Sequence, residues 1–319
     1  MITRLKRRLL ILFLLLCIAV FLALIKGAVA IPWAQLLLKE NQVILNMRIL
    51  RIITAILAGS GLAVCGIALQ AILRNPLAEP YLLGTSSGAG LLAVIAVILG
   101  VSSIYLPLAA FLGAVGSIIL VYNLAREGNR ISDKSLILSG VIVSIVFASL
   151  IVFLVSISPS QAMHEMTWWL CGSLQVYDVK LVSLVAVPVI LGIGLIYLFA
   201  QDLNAISLGE EEATHLGIDT QNIKKILILI TALITASLIC ICGIIGFVGL
   251  IVPHMMRRLS GPNHKALIPV TCLAASVFMV ICDLISRTLF APVEIPIGVI
   301  TAIIGAPVFI ILLKKGTKA

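Results

Sequence analysis

The chain contains few charged residues and few aromatic ones. Asp, Glu, Lys and Arg make up 11% of its 319 residues, and Phe, Trp and Tyr make up 6%. Soluble domains carry roughly 25% charged residues, so this composition excludes an ordinary soluble protein. The mean hydropathy of +1.24 and the 61% apolar content indicate that lipid surrounds most of the chain.

The sequence also lacks the residue clusters on which enzymes and metal sites depend. There is no G-x-x-x-x-G-K-[ST] motif, so the chain cannot hold nucleotide phosphates in a P-loop. All cysteines but Cys171 lie within apolar runs, without zinc-ligand spacing or a disulfide framework. His254 and His264 have no Cys or carboxylate beside them to complete a metal site. These absences argue against a membrane enzyme and against a bound metal.

Apolar runs long enough to cross a bilayer dominate the sequence, since a crossing needs ~20 apolar residues. Such runs lie near 9–30, 50–72, 82–101, 104–125, 135–157, 180–200, 224–247, 266–286 and 296–313. A tenth, shorter crossing is predicted near 247–259, where Gly249 and Pro253 interrupt the apolar run. The predicted fold is an all-α polytopic membrane protein of about ten transmembrane helices in one domain over residues 1–319.

The charges that are present are sorted by side. If the crossings alternate, all but six of the 22 Lys and Arg residues fall on one side of the membrane. The six others are Lys26, Lys39, Arg48, Arg51, Lys180 and Arg287. Because basic residues near span ends resist translocation, this sorting predicts that both termini are cytoplasmic. Topology therefore explains the net charge of +9 better than nucleic-acid binding does.

The first apolar run follows a basic stretch and could be read as a signal peptide. It is longer than the usual apolar region of such peptides, and no small-x-small cleavage site follows it at once. An uncleaved first crossing is the favoured interpretation.

A short cytoplasmic helix is predicted between the sixth and seventh crossings. The Ser-Leu-Gly-Glu sequence at 207–210 is a capping box, in which two side chains satisfy the first free amides of a helix. Glu211 and Glu212 add negative charge at the positive end of the helix dipole, and Gly217 supplies a C-terminal stop. A helix of only ~8–10 residues is marginal alone, so it needs a partner surface.

The chain also carries a short internal echo. The Cys-Gly-Ile sequence at 65–67 recurs at 242–244, with a proline at the same spacing beyond each copy. The copies begin in crossings of opposite direction, as in the inverted repeats of transporters. The predicted repeat halves are roughly 46–157 and 222–314, and a chance match of apolar residues is the alternative.

Four segments carry a family resemblance when they are taken together. They are QAILRNPLAEPYLLGTSSGAG at 70–90, the Gly209-Glu210-Glu211-x-Ala213-x-x-Leu216-Gly217 segment, GFVGLIVPH at 246–254 with Arg257, Gly261 and His264 beyond it, and EIPIGV at 294–299 with Gly305-Ala306-Pro307. They resemble the signatures of the FecCD-type permeases, which are membrane subunits of bacterial ATP-binding cassette (ABC) importers for iron–siderophore complexes, haem and cobalamin. The match keeps the family's order from about residue 46 to 314.

The resemblance implies the fold of a type II ABC importer permease in a bacterial cell membrane, with an inverted repeat. It implies a second permease copy, two cytosolic ATPases, an external binding protein and a metal-chelate substrate as partners. ATP and Mg would be bound by the ATPases, so this chain would hold no cofactor and no catalytic residue. Ferric siderophore is the first choice of cargo, followed by haem and cobalamin.

The resemblance also assigns residues. The coupling helix at about 207–217 would contact the ATPase through Ser207, Leu208, Gly209, Glu210, Glu211, Ala213, Leu216 and Gly217. Arg48, Arg51 and Arg287 match outward-facing arginines that meet acidic residues of the binding protein. Solvated surface charges without a partner are the alternative for these three arginines.

Small residues lie at helical spacing in two crossings. Gly84-x-x-x-Gly88 gives the third crossing a face for close packing. Gly298, Ala302 and Gly305 form a stripe on the last crossing that could pack against a neighbour or leave room for a bulky solute. The resemblance favours pathway lining for this stripe, together with the fifth crossing.

Two other transporter classes compete with this interpretation. An ion-coupled secondary transporter should bury several carboxylates, but Asp283 is the only acid inside a predicted crossing. Arg287, one helical turn further on, offers Asp283 an ion pair. A zinc or manganese ABC permease is the second alternative.

Overall fold

The computed structural model describes residues 2–29, 38–128 and 130–316. Their main elements are thirteen α-helices and one hairpin, whose two strands have two residues each. The helices are α1 (Ile2–Ile25), α2 (Gln42–Ile72), α3 (Thr85–Ile98), α4 (Leu106–Ala125), α5 (Asp133–Ser156), α6 (Ser160–Leu170), α7 (Val179–Leu198), α8 (Ala200–Leu208), α9 (Glu210–His215), α10 (Thr220–Cys242), α11 (Val248–Ser260), α12 (His264–Thr288) and α13 (Ile297–Gly316). The strands β1 (Arg126–Glu127) and β2 (Arg130–Ile131) pair antiparallel, with Arg126 opposite Ile131.

A helix lies at the place of each predicted crossing, and seven of these helices have the length of a span. Among the described residues, α1, α2, α4, α5, α7, α10 and α12 are long and apolar enough to span a bilayer. Shorter apolar helices, α3 and α13, occupy two further predicted crossings. The 13-residue α11 lies where the tenth was predicted, and its crossing of the bilayer stays a prediction. The predicted all-α polytopic fold is therefore confirmed, and α6, α8 and α9 are additional short helices.

Contacts between helix termini define two polar ends of the bundle. At one end, which we call the α9 end, Asp133 at the start of α5 lies 2.6 Å from Lys224 near the start of α10. At the opposite end, Arg48 of α2 donates to the carbonyl oxygen of Leu24 in the last turn of α1. Glu294, just before α13, accepts a hydrogen bond there from the guanidinium group of Arg51 in α2. Because α1 finishes and α13 begins at the opposite end, both ends of the described chain lie at the α9 end.

Helix α2 forms the centre of the bundle. In the most apolar 18-residue stretch of each helix, the buried share is 89% for α2, 72% for α10, 22% for α5 and 11% for α1. Helix α2 contacts α7, α10, α11 and α12. Its second half contains little except small and aliphatic residues, which allows neighbouring backbones to approach closely. Helices α1 and α5 keep wide apolar faces uncovered, as expected for helices that lie against lipid or a second subunit.

The two copies of the Cys-Gly-Ile sequence, at 65–67 and 242–244, have different backbone conformations. Cys65 and its neighbours lie inside α2, whereas Cys242 is the last residue of α10 and Gly243 takes φ +66° in the loop that follows. The loop after Cys242 is held by Tyr81, whose hydroxyl accepts from the Ile245 N–H at 3.1 Å. The proposed repeat halves therefore remain a prediction from the sequence.

Candidate functional sites at the two ends of the bundle

The segment predicted as one coupling helix over 207–217 is divided into two helices, so that prediction is wrong in its boundaries. Helix α8 continues to Leu208, and Ser207 lies in its last turn, where its hydroxyl donates to the Leu203 carbonyl oxygen at 2.6 Å. The capping box therefore does not form. Gly209 ends α8 and precedes α9, which begins at Glu210. The reason is that Leu203 and Ile206 pack into the core and extend α8 past the serine.

Helix α9 ends at the predicted glycine. Gly217 takes the left-handed φ of +80°, which glycine adopts at little cost. The Gly217 N–H donates to the Thr214 carbonyl oxygen at 2.9 Å, and the Ile218 N–H donates to the Ala213 carbonyl oxygen at 3.1 Å. These bonds satisfy carbonyl groups that a helix leaves free at its C-terminus.

One face of α9 is fixed and the other is open. Ala213 is fully buried against Ala205 and Ile206, in a small cluster of its own at the α9 end. Leu208, at the end of α8, is 76% exposed, and Leu216, just after α9, is 68% exposed. A cleft of about 640 Å³ beside α9 is lined by Glu210, Glu211, Thr214, His215, Ile218, Asp219, Thr220 and Gln221. The open face is thus both apolar and acidic, which suits contact with another protein.

Glu210 lines this cleft but is also bound to the rest of the bundle. Its carboxylate accepts a hydrogen bond from the ammonium group of Lys224, which is one of the largest fully buried side chains described. The same ammonium donates to Asp133 Oδ1 at 2.6 Å. Asp133 Oδ2 also lies 3.6 Å from Arg74 Nη2, in the turn after α2. An acidic residue of α9, one of α5 and a lysine of α10 are therefore joined.

A second polar link ties α8 to the start of α12. The side-chain oxygen of Asn204 accepts from the His264 N–H at 2.8 Å and lies 2.7 Å from His264 Nδ1. His264 is 3% exposed, so this contact is part of the packing between the two helices. It gives His264 a structural role.

The three arginines predicted to meet the binding protein lie together at the opposite end, where they are largely buried. Arg48, Arg51 and Arg287 are only 5%, 8% and 3% exposed. Arg51 donates to Asp283 at 2.5 Å and to Glu294 at 2.8 Å. Arg287 Nε lies 3.0 Å from Asp283 Oδ2, which confirms the predicted pairing one helical turn apart, although that N–H is not aligned for a hydrogen bond. These guanidinium groups hold three helices together because buried charges require partners.

Arg48 differs from the other two because its described partners are carbonyl groups and include no carboxylate. Its guanidinium donates to the carbonyl oxygens of Leu24 and Ile25 at 2.6 and 2.9 Å, and to that of Val29 at 2.6 Å. It thereby closes the C-terminal end of α1, whose last carbonyls have no partner within the helix. A cavity of about 250 Å³ beside these arginines is lined in part by Met47, Gln175 and Tyr177.

Comparison with known proteins decides the family. The model of the FecCD transport family matches residues 14–315. The chain belongs to the FecCD transport family. It is 36% identical over 302 residues to the Fe(3+) dicitrate transport system permease protein FecD of Escherichia coli (strain K12), covering 92% of this chain and 94% of that protein.

Two further similarities bear on this FecCD permease. It is 36% identical over 277 residues to the molybdate import system permease protein MolB of Haemophilus influenzae, covering 86% of this chain and 82% of that protein. A solved metal-chelate type ABC transporter in an inward-facing conformation superposes with a TM-score of 0.90 at 34% identity, covering 97% of this chain and 99% of the other. The FecCD chain is therefore a membrane permease with the fold of an ABC transporter.

The small-residue stripe of α13 packs against protein. A Cβ atom on Gly298 would lie 2.5 Å from the Cys171 carbonyl oxygen, and one on Gly305 would lie 2.6 Å from the Ile251 side chain. Ala302 lies between them and is partly buried. The structure therefore favours packing over pathway lining for the two glycines of this stripe.

The predicted small face of α3 lies against a neighbouring helix. A Cβ atom on Gly88 would lie 2.4 Å from the Gly113 carbonyl oxygen of α4. Gly84 precedes α3 with φ +77°, and the Ser117 hydroxyl donates to its carbonyl oxygen at 2.7 Å. Both glycines thus allow α3 and α4 to approach closely.

Sequence reasoning missed the role of Lys224. A lysine near the start of an apolar helix is read as a charge at the membrane surface, as its neighbour Lys225 is. The available signal was weak: Asp133 and Glu210 each begin a helix, where a carboxylate is favoured by the dipole. Only the arrangement of the helices shows that both carboxylates meet one ammonium.

Proposed function

We propose that this FecCD permease is the membrane-spanning subunit of an ATP-driven importer, in which two copies enclose a pathway and bind two cytosolic ATPases and an external binding protein. The observation that carries this proposal is α9: a short helix anchored by Ala213 that exposes Leu216 and Glu211 beyond the bundle. Such a helix is suited to transmit movement from a protein bound to its open face. The chain has no P-loop, so the energy must come from a partner.

Orientation follows from charge. The basic residues predicted to stay inside include Arg74, Lys134 and Lys225, which all lie near the α9 end. We infer that the α9 end is cytoplasmic and that both termini of the chain are therefore cytoplasmic. The opposite end would then receive the binding protein.

The proposed cargo is a metal chelate, with ferric siderophore first and haem and cobalamin as further candidates. The similarity to a metal-chelate type transporter over nearly the whole chain supports it. Identity alone does not select the cargo, because the relatives named for ferric dicitrate and for molybdate are both 36% identical to this chain. Uptake of molybdate in preference to every chelate would overturn this part of the proposal.

Reconstitution tests the proposal. The purified permease, its ATPase and its binding protein are placed in liposomes, and uptake of each radiolabelled cargo is measured with and without ATP. ATP-dependent uptake is the expected result. Accumulation by the permease alone on a proton or sodium gradient, without ATP, would show an ion-coupled transporter instead.

A pair of variants tests the role of the open face of α9. Glu211→Lys with Leu216→Ser should reduce co-purification with the ATPase, because it reverses one exposed charge and removes one exposed apolar side chain. The matched control is Glu165→Lys with Leu289→Ser, two residues exposed at the opposite end. Equal ATPase recovery from both pairs would exclude α9 as the contact.

A further inference from the structure

Three helices begin around one buried lysine at the α9 end. Asp133 is the first residue of α5, Glu210 is the first residue of α9, and Lys224 lies near the start of α10. The Lys224 ammonium donates to carboxylate oxygens of both acidic residues. Its side chain is 2% exposed, whereas the Asp133 and Glu210 side chains are 17% and 31% exposed.

This arrangement makes each carboxylate difficult to remove from the lysine. A buried ammonium group that loses a partner cannot replace it with water at 2% exposure. The carboxylates are further favoured where they are, because each lies in the first turn of its helix. The ammonium, by contrast, lies near the positive end of the α10 dipole, so it depends on the two carboxylates. Glu210 of α9 and Asp133 of α5 are therefore both bound to the Lys224 ammonium group.

The start of α5 packs against the loop before α3: Leu136 is 1% exposed, and a Cβ atom on Gly140 would lie 2.1 Å from the Leu82 carbonyl oxygen. Along its length α5 is less covered than α10, since 22% of its most apolar 18-residue stretch is buried, compared with 72% for α10. A second link to α10 lies next to the first, where the Ile131 N–H donates to Gln221 Oε1 at 3.2 Å. The polar contacts before and at Asp133 thus join the start of α5 to α10 and, through Lys224, to α9.

We propose that Lys224 is a positioning residue that makes α9, the start of α10 and the start of α5 move as one unit. The inference rests on the proposed function, since it takes the ATPase to be what displaces α9. Displacement of α9 then reaches α5 through Glu210, Lys224 and Asp133. Helix α5 presents a wide uncovered apolar face, which includes Leu138, Ile142 and Ile145, so its movement changes the surface offered to the second copy or the pathway.

The test compares two adjacent lysines in the full importer in liposomes. Lys224→Met removes the buried charge at similar volume, and Lys225→Met makes the same change at a residue that is only partly buried. The permease with Lys224→Met should still bind the ATPase and hydrolyse ATP, but cargo taken up per ATP should fall about tenfold, within the usual range of coupling between sites. Lys225→Met should leave that ratio unchanged.

The proposed function and the role of Lys224 would fail in different ways. Absence of ATP-dependent uptake by the unaltered importer counts against the proposed function. Normal uptake by the unaltered importer with an equal ratio in the two lysine variants overturns the role of Lys224. If Lys224→Met does not assemble, Asp133→Asn, Glu210→Gln and the double variant decide. One shared link predicts that the double variant loses no more than the worse single variant, whereas independent, additive losses would overturn the inference.

Discussion

Gly66 of α2 and Gly249 of α11 approach so closely that a Cβ atom on Gly66 would lie 1.8 Å from the Gly249 carbonyl oxygen. A Cβ atom on Gly249 would itself lie 2.7 Å from the Leu62 carbonyl oxygen. Both obstacles are backbone atoms of neighbouring helices, so neither can move aside alone. This crossing places the short α11 against the central helix, where its backbone is covered by protein.

Replacing Gly66 with alanine should therefore destabilise the permease. We expect a loss of about 1–3 kcal/mol or more from overpacking, seen as a lower midpoint of thermal unfolding in detergent. The control is Gly116→Ala in α4, where no atom lies within 4 Å of the added Cβ. Alanine favours a helix over glycine, so Gly116→Ala should be neutral or slightly stabilising. Equal midpoints for the two variants would show that the crossing tolerates a methyl group.

The carboxylate of Asp283 should be essential to the opposite end of the bundle. It is fully buried and within ion-pair distance of both Arg51 and Arg287. Asp283→Asn leaves two guanidinium groups without their shared charge, which typically costs about 3–5 kcal/mol at a buried site. Thermal unfolding in detergent measures the loss, and Glu165→Gln, an exposed acid at the same end, is the control. A stability equal to that of the control would refute the structural role of Asp283.

Docking of the binding protein should depend on exposed lysines at the opposite end. Lys39 and Lys180 are exposed, whereas the arginines there are occupied within the subunit. Lys39→Glu with Lys180→Glu should slow association with the binding protein, and more strongly at low salt, because exposed charges act over about a Debye length. Surface plasmon resonance at two salt concentrations measures this. Association that is unchanged at low salt would exclude these lysines.

Arg48→Gln is the matching experiment for a buried arginine. It removes a guanidinium that closes the end of α1 through three carbonyl groups. We expect lower thermal stability, together with unchanged binding-protein association in whatever fraction remains folded. A variant with full stability and weak association would restore the docking role that the sequence suggested.

The sequence allowed the positions of the long apolar helices to be predicted because each depends on a continuous apolar run. The pairing of Asp283 with Arg287 could also be predicted from the sequence, since one helical turn separates the two residues. The sequence did not reveal the contact between Arg51 and Glu294 or that between Lys224 and Asp133. These partners are far apart in the chain, and only the arrangement of the helices brings them together.

The predicted start of the coupling helix was wrong because the capping box is only a local signal. A capping box predicts where a helix can begin. Ser207, however, lies in the last turn of α8, which is held in place by the core contacts of Leu203 and Ile206. Tertiary packing therefore overrode the local signal. The predicted stop at Gly217 depends on backbone conformation alone, and a helix end is found there.

Gly84 should be more sensitive to alanine than another glycine of similar conformation. Both Gly84 and Gly100 have positive φ, of 77° and 67°, so an alanine is strained at either position. Only at Gly84 would the added Cβ meet a neighbour, the Ser117 hydroxyl at 2.7 Å. The unfolding midpoint should therefore fall further for Gly84→Ala than for Gly100→Ala. Ser117→Ala removes the obstructing oxygen, so it should cost less stability in the Gly84→Ala permease than in the unaltered one, where it loses a hydrogen bond. Equal costs in the two backgrounds would mean that α3 accommodates the methyl group by shifting as a whole.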